Sequence, residues 1–486
     1  MNSLLERDAW FREMRYGSKF TRRAFLQQCG LSIGSLAFAD LVHSQTSAFS
    51  NPPSQPNLAG PLAVRPSHFS PRAKRVIHFF LNGGPSHIDT FDPKPLLAKY
   101  AGKPLPSGHL PTERKTGGAL PSPFHFKKYG QSGIEVSELF EKTATHIDSI
   151  AVVCSMKANL PNHEPSLLLM NCGDSVQSRP SVGSWITYGL GSENQNLPGF
   201  VVLCPKGLPV KEYENWQSGF LPGAYQGTFI DTQHKEVEKL IENIRNTRTP
   251  LNQQRRQLDL LARLNSAHAE RSGTDAHLES RVQSFELAFR MQMAASEAFD
   301  LSNEPAHVRA LYGESIHGNQ TLIARRLIER GVRYVQLWHG AAQPWDSHGN
   351  LESDHRKLAK EIDQPIAALL TDLKQRGLFE ESLIIWGGEF GRTPTTEGTN
   401  GRDHNPYGFT MWFAGGGIQG GQVYGSTDEF GFKAVDNIVH VHDFHATLLH
   451  LMGFDHEQLT YRYAGRDFRL TDVHGHVVKA LIKGPV

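Results

Sequence analysis

Six short, nearly unbroken apolar stretches punctuate this chain, at residues 76–81, 150–154, 200–204, 334–337, 383–386 and 409–413. Runs of this length without strict alternation suit strands of a parallel sheet, which are buried on both faces. Between them the apolar period lengthens to that of helices. The clearest case puts Leu358, Ile362, Ile366, Leu369, Leu370 and Leu373 on one face. It stops at Arg376-Gly377, where glycine can adopt the left-handed conformation that ends a helix. Strands alternating with helices predict an α/β fold with a doubly wound, mostly parallel sheet. Residues 233–300 break the alternation: they are charged, poor in strand signals and helical in period, with Leu258, Leu261 and Leu264 followed by Val282, Phe285 and Met291. They read as a helical insertion packed beside the sheet.

The N-terminal region has a different character. Thr21-Arg22-Arg23-Ala24-Phe25-Leu26-Gln27 precedes a weakly apolar run over 31–42 that contains the small-x-small triplet Ala37-Phe38-Ala39. This order resembles a twin-arginine export signal. Residues 1–43 are therefore expected to be the signal, 44–74 a flexible linker rich in Ser, Pro and Asn, and 75–486 the folded domain. The expected partner in export is the twin-arginine translocase, and the expected location is periplasmic or extracellular. The apolar run is too short to span a bilayer, and no later run reaches about 18 apolar residues, so no transmembrane helix is predicted in the mature chain.

Composition narrows the function classes. The 486 residues carry 50 Lys and Arg against 49 Asp and Glu, a net charge of +1, which lacks the basic footprint of a nucleic-acid binder. Four cysteines, Cys29, Cys154, Cys172 and Cys204, form no C-x-x-C pair, so neither a zinc ribbon nor a disulfide framework is indicated. Residues 415–420 fit G-x-G-x-x-G formally, but turn and strand residues follow instead of the helix a dinucleotide site requires. No G-x-S-x-G nucleophile elbow occurs. The distinctive feature is 24 histidines, many in short clusters.

Sites on open α/β sheets form at the carboxyl ends of strands. After 76–81 comes Asn82-Gly83-Gly84-Pro85-Ser86-His87-Ile88-Asp89, and after 150–154 comes Asn162-His163-Glu164-Pro165-Ser166. Trp345-Asp346-Ser347-His348 follows 334–337. Gly388-Glu389-Phe390-Gly391-Arg392 and then Arg402-Asp403-His404 follow 383–386. His440, His442, Asp443 and His445 precede a further helix, with Asp443 suited to its N-cap and His450 to packing among leucines. Mixed histidine and carboxylate ligands suit Zn²⁺, Mn²⁺ or Fe better than Ca²⁺ or Mg²⁺, so the expected cofactor is a divalent metal, zinc or manganese.

The segments Gly83 to Pro95, Glu389 to Pro394 and His442 to Thr447, together with the leader, resemble the exported family labelled domain of unknown function 1501. That resemblance implies the fold of the alkaline phosphatase and sulfatase superfamily. Where sulfatases end a strand in an aspartate pair, this chain has Asn82-Gly83, with His87 or Asp89 as substitutes. His163-Glu164-Pro165-Ser166-Leu167 is similar to the sulfatase C-x-P-S-R motif, which puts the nucleophile position on His163. Asp346 and His348 look like the Asp and His that bind the first metal of the superfamily. Glu389 and Phe390 stand where Ser-Asp-His-Gly has Asp and His, and His404 looks like the later metal histidine.

These readings predict a metal-dependent hydrolase of sulfate or phosphate esters acting outside the cytoplasm, with polysaccharide esters among the anionic substrates. Asp346, His348, Glu389 and His404 are the expected metal ligands, followed by His87 and Asp89. His163 would be nucleophile, base or a further ligand, and Arg392 either a clamp on an anionic oxygen or a salt-bridge residue. A non-catalytic binding or assembly protein on a degenerate scaffold is the alternative. A redox enzyme loaded before export would fit the leader but lacks a cofactor motif.

Overall fold

Each of the six apolar stretches forms a strand, and helices bury them on both faces of the sheet. The computed structural model describes residues 62–485 apart from 109, 242–243, 245–247 and 274–275; the expected export signal lies outside the described residues. Residues 62–74, within the stretch expected as linker, lie against the domain: Leu62 is buried, and the N–H groups of Arg65 and Ala73 donate to the carbonyls of Leu190 and Leu451.

The strands that matter here are β1 (Arg75–Phe80), β2 (Ile150–Lys157), β3 (Phe200–Leu203), β4 (Thr228–Ile230), β5 (Tyr334–Trp338), β6 (Ser382–Gly387), β7 (Gly391–Glu397), β8 (Gly401–Asn405), β9 (Phe409–Gly415), β10 (Gln422–Tyr424) and β11 (Val439–His440). Nine of them form one sheet in the order β10-β2-β9-β6-β1-β5-β3-β4, with β11 also on β2. Only β9 runs antiparallel to its neighbours, so the fold is mixed α/β with a largely parallel sheet. The central register sets Phe79 beside Leu337 of β5 and Trp386 of β6.

The helices are α1 (His163–Cys172), α2 (Val182–Leu190), α3 (Leu251–Ser272), α4 (Ala276–Phe299), α5 (Ile316–Glu329), α6 (Leu351–Gln375) and α7 (Val441–Leu451). Successive strand residues point to opposite faces. Ile77, Phe79, Val335 and Trp386 pack with Leu322 and Leu327 of α5 and with Ile366 and Leu370 of α6. Val76, Phe80, Val202 and Ile385 pack on the other side with Leu167 of α1, Trp185 of α2 and Leu448 of α7. Burial on both faces is the reason the strand sequences show no alternation. The predicted face of α6 is entirely buried, and the chain turns out of the helix at Gly377 with φ 69°. Helices α3 and α4 occupy most of the stretch 233–300; the buried residues Met291, Ala295 and Phe299 of α4 join the same cluster as α5.

The antiparallel ribbon β7–β8 contains no apolar run. Most of its residues are polar, including Arg392, Thr393, Arg402 and Asp403, yet almost all are buried. Their burial is satisfied by partners on other elements: Arg392 by Asp346 and the Gly84 carbonyl, and Arg402 by Asp89 and the Leu120 carbonyl. No helix among the described residues is long and apolar enough to cross a membrane.

Candidate metal centre

β1 lies between β5 and β6, so the loops that follow these three strands emerge side by side. Asn82 braces them. Its Nδ2 donates to the carbonyls of Gly340 (2.9 Å) and Ala342 (2.6 Å), and its Oδ1 accepts from the His339 N–H (3.2 Å). The position that the resemblance assigned to an acidic pair is therefore a strut for the loop after β5. Gly83 then lets that loop come close: its φ is +109°, and a Cβ there would stand 2.6 Å from the Asp346 nitrogen. Only glycine combines that conformation with that clearance.

Asp346 Oδ1 is the focus of the centre. His348 Nε2 lies 2.9 Å from it, His404 Nε2 3.1 Å, His163 Nε2 3.4 Å and Arg392 Nη2 2.7 Å. The opposite nitrogen of each ring faces a second carboxylate. His163 Nδ1 bonds Glu389 Oε1 at 2.7 Å, His348 Nδ1 bonds Glu397 Oε2, and His404 Nδ1 stands 2.5 Å from Glu113 Oε2. Glu389 Oε1 also accepts the Gly83 N–H at 2.9 Å, which fixes it as an acceptor and puts the proton on His163 Nδ1. Phe390 packs its ring against His163 and His404, with centroids 4.8 and 4.7 Å away.

Burial alone would raise the Asp346 carboxyl, but the three imidazoles and Arg392 hold it far below the usual carboxylate range. Burial likewise works against charge on His163 and His348, yet Asp346 with Glu389, or with Glu397, outweighs it and raises both. His404 is kept below its ordinary value by burial, to which the positive charges of Arg392 and His163 add.

A divalent metal fits this donor set. The Nε2 atoms of His163 and His348 are buried without a hydrogen-bond partner. Ligand atoms on a tetrahedral zinc with bonds of about 2.0–2.1 Å stand roughly 3.3 Å apart, close to the spacings measured around Asp346 Oδ1. A carboxylate behind each ligating imidazole is also the usual arrangement at metal histidines, because it sets the tautomer and raises basicity.

The fold thus gathers Asp346, His348, His404 and His163. Glu389 does not join the converging atoms: it is fully buried behind His163, with Oε1 spent on the ring and on Gly83. His87 and Asp89 are not brought to the centre. The short helical turn after Ser86 points them away, and His87 Nε2 meets the Gly431 carbonyl at 2.8 Å. Asp89 is held by Arg402 Nε at 2.8 Å and by Ser86 Oγ at 2.5 Å. Arg392 is no clamp open to substrate: fully buried, it donates to the carbonyls of Gly83, Gly84 and Arg402 and to Asp346. Glu113 and Glu397, which back two of the imidazoles, had no signal in the sequence. Asp443 is not the N-cap of α7; His440 is, and Asp443 sits three residues on with its carboxylate accepting the His440 N–H in a capping box.

An open cleft of about 440 Å³ is lined by Asn159, His440, His442, Asp443, His474 and His476 among others. The loop that carries Asn159 leads directly into His163 at the start of α1.

Sheet and centre together define an α/β protein with a buried histidine–carboxylate cluster at the carboxyl edge of largely parallel strands. The chain belongs to the DUF1501 family, described as a protein of unknown function, which matches residues 73–482. No curated protein matches it. Solved structures similar to it include the lipoteichoic acid synthase LtaP from Listeria monocytogenes, at 8% identity and TM-score 0.35, covering 85% of this chain and 79% of that one. The PsFucS1 sulfatase from Pseudoalteromonas sp. is similar at 12% identity and TM-score 0.35, with 79% and 69% covered. The phosphonate monoester hydrolase SpPMH from Silicibacter pomeroyi is similar at 10% identity and TM-score 0.33, with 71% and 72% covered.

Proposed function

We propose that this protein is a metal-dependent hydrolase of anionic esters, sulfate or phosphate, working outside the cytoplasm on a scaffold of the alkaline phosphatase and sulfatase type. The observation that carries the reading is the convergence of three imidazoles, each backed by a carboxylate, on Asp346 Oδ1. Asp346 and His404, which with His163 bring their ligand atoms within 4.8 Å of one another, would hold the metal, and His348 lies against the same Asp346 oxygen. When bound, zinc or manganese supplies the positive charge that polarises an ester oxygen.

The chain's own residues do the rest. Glu389 orients His163 through Nδ1 and leaves Nε2 to take or give a proton on the side of the Asp346 cluster. Arg392 fixes the Asp346 carboxylate from below and is itself anchored by three backbone carbonyls. Phe390 excludes water from one side of His163 and His404. The open cleft lined by His440, His442 and His474 would be the place for the rest of an ester substrate. The location outside the cytoplasm rests on the Arg22-Arg23 motif.

A second reading, a non-catalytic binding or assembly protein, draws on Arg392 Nη2, which at 2.7 Å already neutralises Asp346 Oδ1. Metal content by mass spectrometry, combined with a screen of aryl phosphate and aryl sulfate esters, separates the two. Bound metal with turnover that disappears in Glu389→Ala supports the hydrolase. Metal-free protein without turnover sinks it and leaves the second reading.

A further inference from the structure

A second cluster of ligating side chains lies on different elements. His317 is in the first turn of α5, His339 directly follows β5, and Glu361 is on α6. Both imidazoles are buried, and their ring centroids are 4.4 Å apart. His339 Nε2 stands 3.0 Å and His317 Nε2 3.7 Å from the same atom, Glu361 Oε2. These separations bracket the roughly 3.3 Å expected between ligand atoms on one face of a tetrahedral zinc.

The tautomer of His317 follows from its support. Gln320 Nε2 donates to the carbonyls of Leu203 (2.9 Å) and Trp338 (3.0 Å), at the ends of β3 and β5. Gln320 Oε1 is therefore the acceptor facing His317 Nδ1 at 3.0 Å, so Nδ1 carries the proton. The lone pair of Nε2 is then directed toward His339 and Glu361. A polar group that holds a histidine in this tautomer through its far nitrogen is what a metal ligand requires. Lys206 and Lys357 lie within electrostatic reach of His339, so a weakly held cation would be repelled. The donors select a metal with strong affinity for imidazole, of the zinc class, over calcium or magnesium.

We propose that His317, His339 and Glu361 form a second transition-metal site, of zinc type and independent of the centre around Asp346, with its remaining position open on the side of the half-exposed Glu361.

The test uses the full chain, stripped by chelation and dialysed against zinc, with bound zinc counted by mass spectrometry and affinity measured by titration calorimetry. Wild type should hold one equivalent more than His339→Gln. Glu361→Gln, altered at the most exposed ligand and so the safer variant for folding, should lose affinity for that equivalent by about tenfold or more. Asp346→Asn should keep this zinc, which separates the site from the proposed catalytic centre. If the Asp346 centre holds no metal, wild type should still bind one equivalent and His339→Gln none. Unchanged zinc number and affinity in both His339→Gln and Glu361→Gln, or a wild type that binds no zinc, overturns the proposal.

Discussion

His163 Nδ1 and Glu389 Oε1 stand 2.7 Å apart although 226 residues separate them in the chain, and the same oxygen receives the Gly83 N–H. One buried carboxylate thus ties together the ends of β1 and β6 and the start of α1. It also decides which nitrogen of His163 is left for chemistry. Glu389→Gln keeps the size and an acceptor oxygen but removes the charge. Turnover of the best ester should fall about 10- to 100-fold, in kcat more than in KM, while the metal content stays that of wild type. Unchanged kcat would show that the dyad has no part in turnover.

Asp346 is the one anion shared by three imidazoles and a guanidinium. Asp346→Ala should remove the metal of this centre. It should also destabilise the metal-free chain by about 3–5 kcal/mol, because Arg392 is left buried and without its carboxylate. Thermal unfolding with and without chelator checks both parts. In wild type, metal at about 100 times its Kd should add about 2.7 kcal/mol, and in the variant the contribution of this centre should vanish.

Asp89 and Arg402 form an ion pair with both side chains fully buried. Asp89→Ala should cost about 3–5 kcal/mol in urea unfolding and leave the metal count untouched. Burial raises the Asp89 carboxyl, but Arg402 and Ser86 outweigh it and hold the pKa below the ordinary 3.8. The pair's contribution is therefore present above that pH and lost as pH falls through the folded value. A metal content that fell with Asp89→Ala would contradict this purely structural role.

Gly83→Ala tests the close approach at the end of β1. The new Cβ would meet the Asp346 and Trp345 nitrogens at 2.6 and 2.8 Å, at a φ of +109°. Strain of about 1–3 kcal/mol is expected. Displacement of Asp346 should lower turnover by about 100-fold, as misplacements near 1 Å do. Wild-type turnover in this variant would mean that the position of Asp346 is not critical.

His78, fully buried in β1 with Nδ1 2.9 Å from the Tyr334 hydroxyl, has its pKa lowered by burial from 6.5 to about 3. The unfolded chain binds this proton first, so stability is full above pH 6.5 and falls as pH drops toward 3. The slope from this one group is about 1.4 kcal/mol per pH unit. His78→Gln should flatten the acid limb of the stability profile by that amount; an unchanged limb would place the acid sensitivity elsewhere.

The sequence by itself determined the six apolar strands and the helix whose face runs from Leu358 to Leu373, because burial on both faces of a sheet or on one face of a helix is written in nearest-neighbour periodicity. It also determined that Asp346, His348 and His163 sit beyond strand ends, since turn residues mark those ends, whereas His404 lies within strand β8. Only the tertiary structure decided which side chains meet. The polar ribbon β7–β8 carries Glu397 to His348 and Arg402 to Asp89, and Gly83 admits the Asp346 loop. His317, His339 and Glu361 share no local motif; α5, β5 and α6 bring them together. Periodicity records the environment of each residue along its own element, whereas a site depends on distances between elements, which are set by packing across the whole sheet.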